Sequence, residues 1–152
     1  AEEIGRRTEK VYLKEKEIRD CLGCCACQKN GGVCVQKDDM AEILDKMVKA
    51  DVIVLATPVY FYTMDGQMKT LIDRTVPRYT ELTNKDFYFI MTAADTAKAS
   101  LTRTLESFRG FTEDCLTSAR EAGIIYGVGA WKVGEIKATP AYNEAYEMGK
   151  MI

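Results

Sequence analysis

Three apolar runs recur along this chain with helix-period segments between them: Val52-Ile-Val-Leu-Ala56, Phe87-Tyr-Phe-Ile-Met91 and Ile124-Ile-Tyr-Gly-Val128. Strand-length runs that alternate with 3.6-residue periodicity build right-handed βαβ units, and such units build an open parallel sheet between helix layers. Val52–Ala56 shows no polar alternation, as in a parallel strand covered on both faces. Val11-Tyr-Leu13 is short and flanked by charge, which predicts a strand near a sheet edge. Asp38 and Asp39 can cap a helix whose apolar residues Met40, Ile43, Leu44, Met47 and Val48 keep helical spacing. Met64, Met68, Leu71, Ile72 and Val76 predict a second helix, ended by Pro77. Leu101, Leu105, Phe108, Cys115, Leu116 and Ala119 predict a long helical stretch with Gly110 as a break. Pro140 suits the first turn of a last helix. No repeat, low-complexity tract or linker divides the 152 residues, so 1–152 reads as a single domain with a real core.

Five of the six cysteines fall between Cys21 and Cys34. Cys21, Cys24, Cys27 and Cys34 read C-x2-C-x2-C-x6-C, a spacing similar to that which ligates a cubane iron–sulfur cluster. Gly31-Gly32 frees the backbone to bring Cys34 back toward the other three. Plainer roles stay open at this point: four thiolates on zinc, or free thiols. Cys25 is a spare that packs or faces solvent, since adjacent cysteines rarely meet disulfide geometry. Cys115 is expected as a small core residue.

Crowded cysteines argue against an extracellular disulfide framework and for a reducing cytoplasm. The opening residues lack a charged segment followed by an apolar run, so no secretory signal is expected, and no apolar run reaches transmembrane length. With 21 basic and 23 acidic residues the formal net charge is −2, without the basic surplus that nucleic acid or an anionic membrane would attract. Histidine is absent, which excludes His-based acid–base chemistry and any zinc site that needs imidazole.

Loops that follow strands emerge at the carboxyl end of such a sheet, where ligands bind. The cysteine loop, Thr57-Pro-Val-Tyr-Phe-Tyr-Thr63 and Thr92-Ala-Ala-Asp-Thr96 are therefore expected on one rim. Pro58 lacks an N–H, while Val59, Tyr60 and Phe61 offer backbone donors beside an aromatic wall. That combination suits a flavin; the plainer alternative is a loop whose aromatics cap the core.

Four motifs in order carry a family resemblance: Cys21-x-Gly-Cys24-x2-Cys27, Cys34-Val-Gln-Lys-Asp-Asp-Met40, Thr57-Pro-Val-Tyr-Phe61 and Gly66-Gln-Met-Lys-Thr-Leu-Ile-Asp-Arg74. From about Arg7 to the C-terminus the chain resembles the flavodoxin-like NAD(P)H-dependent FMN reductases, in particular the iron–sulfur flavoprotein branch. The resemblance implies an α/β flavodoxin-like three-layer sandwich with a parallel sheet, FMN at its carboxyl rim, and a homodimer or homotetramer. Pro58, Val59, Tyr60 and Phe61 would cradle the isoalloxazine, Gly66 would let the following helix approach it, and Ala93, Ala94 and Asp95 would line its other side. Cys21, Cys24, Cys27 and Cys34 would hold a [4Fe–4S] cluster exchanging electrons with FMN. Family members begin with a strand and a glycine/serine-rich phosphate loop. This chain opens at Ala1-Glu-Glu-Ile-Gly5, similar to the end of the helix after that loop, so the first strand and phosphate loop are missing from it, a βα unit of about thirty residues.

The implied function is an FMN-dependent oxidoreductase. It would move electrons from NAD(P)H as co-substrate, or from a ferredoxin-type protein, to a small-molecule acceptor. No side chain need act as acid or base, because hydride transfer rests on stacking geometry. Two other readings stand beside it. One is a non-enzymatic electron carrier whose Lys29 and Lys37 dock an acidic protein. The other is a cofactor-free thiol or zinc module on the same fold. Gly127-Val-Gly129 reads as a strand end needing close approach, Asp73-Arg74 as a surface or intersubunit ion pair, and Pro77, Arg78 and Tyr79 as exposed interface residues.

Overall fold

A computed structural model describes residues Ala1–Ile152. Its sheet has the order β2-β1-β3-β4, built from β1 (Val52–Tyr60), β2 (Thr63–Met64), β3 (Asp86–Thr92) and β4 (Arg120–Gly127). β1, β3 and β4 are parallel, with Val52 opposite Asp86 and Pro58 opposite Thr92. β2 is an addition to that parallel core, a two-residue antiparallel ribbon on the end of β1. Five helices accompany the sheet: α1 (Ala26–Lys29), α2 (Met40–Lys49), α3 (Gly66–Asp73), α4 (Thr102–Thr112) and α5 (Pro140–Gly149).

One face of the sheet holds the core. Ile53, Leu55, Phe87, Phe89 and Met91 point from alternate strand positions into a cluster with Met40, Ile43, Leu44 and Met47 of α2, Met68 and Leu71 of α3, and Leu105, Phe108 and Phe111 of α4. Phe89 stacks on Phe108 at 4.8 Å, and Phe87 meets Phe111 edge-on at 6.4 Å. Each such side chain contributes about 1.5–3 kcal/mol through burial. The Lys85 ammonium donates to the carbonyls of Val48 and Ala50 at 2.8 and 2.5 Å, closing the end of α2 against the start of β3. Burial lowers its pKa.

The opposite face is thinly covered. α5 packs there against β4, while Val54 on β1 is 47% exposed and Ala56 is exposed too. The unbroken apolar run of β1 therefore does not mean burial on both faces; Ile53, Leu55 and Thr57 are buried and their neighbours are not.

Several sequence expectations give way. Val11–Leu13 forms no strand: no neighbour pairs with it, its backbone closes in 3-10 bonds from Glu15 and Lys16 to Tyr12 and Leu13, and Val11 and Leu13 pack side-on against the core. Gly110 lies within α4, where a Cβ would meet only open space, so it breaks nothing. Cys115 follows the helix in a turn and is exposed. α3 ends at Asp73, short of Pro77, and Val76 is exposed. Pro140 does open α5, and Gly127 does need close approach: a Cβ there would stand 2.8 Å from Ile136 and 2.9 Å from Thr92.

Candidate functional site

The cysteine segment folds back on itself before α2. Gly23 and Cys25 take left-handed backbone (φ 62° and 54°), and Cys25 then starts the one-turn helix α1. Gly32 (φ 83°) lies so close to the chain after α3 that a Cβ would stand 3.0 Å from the Pro77 carbonyl oxygen. Only glycine meets both demands. The result is a cavity of about 160 Å³ whose wall includes all four motif cysteines, Cys25, and Asp73, Arg74, Val76 and Pro77 from the end of α3. Cys27 and Cys34 are half-buried; Cys21, Cys24 and Cys25 are exposed. All the cysteines are free thiols, and no three acidic or thiol side chains converge tightly enough to hold a single metal ion.

Arg74 forms the cavity's charged wall. Its side chain is 2% exposed and faces Asp38, which is 0% exposed. Nη1 and Nη2 donate to the two Asp38 oxygens at 2.7 and 3.0 Å, Nη1 also to the Arg19 carbonyl at 2.5 Å, and Nη2 to Cys34 Sγ at 3.8 Å. The guanidinium beside it, reinforced by the N–H groups of Arg19 and Met40, holds the Asp38 carboxyl down at about 2. Arg74 Nε is buried with no partner. The Asp73-Arg74 dipeptide is thus divided: Asp73 pairs with Lys69 at the surface, and Arg74 belongs to the interior. Asp38 is the partner of that arginine as well as a cap on Met40 N.

The aromatic rim lies at the other end of α3. Tyr60 pairs with Thr63 and Val59 with Met64, so Phe61-Tyr62 is a two-residue hairpin turn with φ of 50° and 66°. Positive φ at both central residues defines a type I′ turn, normally built from Asn and Gly. Tyr60 and Val59 thus stand in register opposite Thr63 and Met64. Phe61 is 99% exposed. Thr104 donates to the Tyr62 carbonyl at 3.4 Å and the Arg103 guanidinium sits 5.9 Å from the Tyr62 ring, so α4 braces the turn.

Pro58 ends the ladder with β3 opposite Thr92, half-buried. Gly66 is the first residue of α3, and a Cβ there would meet nothing within 4 Å. Ala93 is buried, its N–H bonded to Gly127 and its carbonyl to Ala130. Ala94 is exposed. Asp95 caps Ala97 N with its side chain and holds Gly129 N with its carbonyl. Trp131, 83% exposed and absent from the sequence expectations, follows β4 at the same rim. The hairpin extends β1 and the tryptophan follows β4, the two strands on either side of β3.

The rim elements carry an exposed aromatic at Phe61 and small residues at Gly66 and Ala94, residue types that suit a flavin ring. A phosphate needs other donors, because the starts of α2 and α3 carry carboxylates. Asp65 accepts from Met68 N at 3.1 Å, and Asp38 from Met40 N at 3.2 Å. The hairpin and the Ala93–Ala97 loop share the carboxyl rim as expected. The cysteines do not; α3, rising about 12 Å over its eight residues, separates them from the hairpin.

Fold and rim together define a flavodoxin-like α/β domain. The chain belongs to the NADPH-dependent FMN reductase family, whose model matches residues 1–111. Over 72 residues it is 49% identical to an iron-sulfur flavoprotein of Archaeoglobus fulgidus, covering 47% of this chain and 35% of that protein. Over 75 residues it is 48% identical to an iron-sulfur flavoprotein of Methanocaldococcus jannaschii, covering 49% and 38%. These matches span little more than a third of the relatives' length. Among solved structures, a flavone reductase superposes with a TM-score of 0.69 at 19% identity, covering 97% of this chain and 51% of that one. A Bacillus subtilis Trp repressor binding protein superposes at 0.63 with 21% identity, covering 72% and 75%. The fold is shared with both. No helix is long and apolar enough to cross a membrane.

Proposed function

We propose that this protein is an FMN-dependent oxidoreductase. It moves electrons from NAD(P)H or a ferredoxin-type donor to a small acceptor, with a [4Fe–4S] cluster on Cys21, Cys24, Cys27 and Cys34. The carrying observation is the cysteine cavity: four thiols at cluster spacing share one hollow with Arg74, whose buried Nε–H has no partner. Zinc on the same four thiolates is the competing assignment, and iron and sulfide analysis separates the two. A cubane places each thiolate on a separate iron and supplies sulfides that accept hydrogen bonds.

Bound FMN supplies hydride acceptance and single-electron release, and the cluster supplies a one-electron relay. The chain's own residues position and shield. Phe61 offers an aromatic face at the rim. Ala94 and Gly66 leave room beside it. Asp95 and Ala93 fix the loop between β3 and α4 to the loop after β4. α3 sets the separation of rim and cavity.

A second reading has its own observation. Arg19, Asp20, Leu22, Val35, Gln36 and Lys37 line an open groove of about 650 Å³ beside the cysteines, with one more basic than acidic side chain, where an acidic electron-transfer protein would dock. That surface suits a ferredoxin-type donor, or a carrier role without a small acceptor. Anaerobic titration of the full-length holoprotein separates these. Bleaching of the flavin bands by NAD(P)H within seconds supports the oxidoreductase. Bleaching only by reduced ferredoxin leaves the two ferredoxin-fed readings, and reoxidation of the reduced protein by a small quinone then separates oxidoreductase from carrier; no bleaching by either donor overturns both.

A further inference from the structure

The Arg74 guanidinium has five N–H donors, and the structure accounts for four. Its end-on edge, Nη1 with Nη2, grips both Asp38 oxygens, and the outer Nη1 hydrogen goes to the Arg19 carbonyl. The remaining edge carries Nε–H and the second Nη2 hydrogen. Nη2 reaches Cys34 Sγ along it, and Nε has no partner. A fork of parallel donors is therefore turned to the sulfur side of the cavity wall, half of it unused.

Leaving a buried N–H unsatisfied costs about 1–3 kcal/mol, and proteins seldom keep one without a reason. Asp38 cannot supply the missing acceptor, because both its oxygens are engaged on the opposite edge. The carboxylate does something else: it cancels the arginine's charge and locks the plane of the guanidinium. What reaches the cavity is an oriented pair of N–H groups with little net charge behind them.

Resting on the cluster assignment above, we infer that Arg74 is a tuning residue for that cluster. Its Nη2–H donates to the Cys34 thiolate and its Nε–H to a sulfide, while Asp38 holds the fork in place. Hydrogen bonds to cluster sulfur disperse the negative charge that grows on reduction, so they raise the reduction potential. Lysine could not replace this arginine, since a point charge on a flexible stem presents no fixed fork.

The test uses the full-length holoprotein and the double variant Arg74→Met with Asp38→Leu. Replacing a buried ion pair by apolar residues of similar volume is commonly tolerated, and it leaves the net charge beside the cluster unchanged. A potential shift in this variant therefore reports the hydrogen bonds. The expected result is an intact cluster by iron, sulfide and visible spectrum. Its one-electron reduction equilibrium should move at least tenfold toward the oxidised state, about 59 mV lower. An intact cluster with unchanged potential overturns the inference and leaves the cluster assignment standing. Wild-type protein without a cluster overturns the assignment itself, and the inference with it. A second measurement needs no variant. In wild-type protein labelled with ¹⁵N-arginine and reduced, pulsed electron–nuclear double resonance should detect an arginine nitrogen coupled to the cluster spin. Absence of that coupling overturns the inference even if the variant does not fold.

Discussion

Arg74 and Asp38, 36 residues apart in sequence, meet as an end-on ion pair at 2.7 and 3.0 Å and tie the end of α3 to the start of α2. Neither side chain reaches solvent to any extent. The cysteine loop runs from Arg19 to Asp38, and Arg74 holds both ends, the Arg19 carbonyl and the Asp38 carboxylate.

The pair predicts how stability responds to acid. Asp38 has its carboxyl at about 2 in the folded chain, against an ordinary value near 3.8. A depressed carboxylate stabilises the fold fully above its unfolded pKa. That contribution, on the order of 2 kcal/mol, is lost as pH falls from about 4 toward 2. Asp38→Asn should cost about 3–5 kcal/mol at neutral pH, because it strands a buried guanidinium. It should also flatten the pH dependence in that window. Urea denaturation at a series of pH values checks both.

Gly32→Ala attacks the loop rather than the core. The new methyl group must enter at φ 83° and at 3.0 Å from the Pro77 carbonyl and 3.1 Å from Arg78 Cγ, so the loop has to move outward. The expected outcome is a fall in bound iron with a loss of about 1–2 kcal/mol in global stability. Iron analysis and a thermal melt on the same sample give the two values. Full iron content would show that the loop's close seat on Pro77 is not needed.

The hairpin offers a trade in the opposite direction. Phe61 and Tyr62 both hold left-handed backbone, which Asn and Gly adopt readily. Phe61→Asn with Tyr62→Gly should raise stability by about 1 kcal/mol, since Phe61 packs on nothing and the exposed Arg103–Tyr62 contact is worth only about 0.5 kcal/mol. FMN affinity should fall at least tenfold, the loss expected for one stacked ring worth about 1.4 kcal/mol. Equilibrium dialysis against FMN measures this, and unchanged affinity would remove the hairpin from the flavin site.

The parallel core and its covering helices were legible in the sequence because β3, α2 and α5 announce themselves through apolar runs, periodicity and a first-turn proline. The cysteine motif was equally plain, since ligand spacing is a local property. What escaped depends on partners distant in sequence. Arg74 looked like a surface residue because nothing local marks an arginine whose counter-charge lies 36 residues away. The hairpin was hidden because its turn uses Phe-Tyr in place of Asn-Gly. Val11–Leu13 has strand composition, yet no strand stands beside it to pair. Trp131, the chain's one tryptophan, sits in a loop whose place at the rim follows only from the β3–β4 register.

Among the five clustered cysteines the four motif positions should be separable from the fifth. Cys25 sits in left-handed backbone at the start of α1, its thiol 3.7 Å from the Gly23 carbonyl, and a serine can occupy that place. Cys25→Ser should keep its iron, while Cys34→Ser should lose most of it together with the broad sulfur-to-iron absorption. Parallel iron assays on the two variants decide the ligand set. Equal loss in both would mean that Cys25 is a ligand.

The most direct measurement is quantification of iron, acid-labile sulfide and FMN on one sample of the full-length protein purified without oxygen, with its visible spectrum. About four irons and four sulfides per chain, as a [4Fe–4S] site requires, together with a flavin double band, is the expected result. A colourless protein that takes up neither cofactor when offered iron, sulfide and FMN would contradict it.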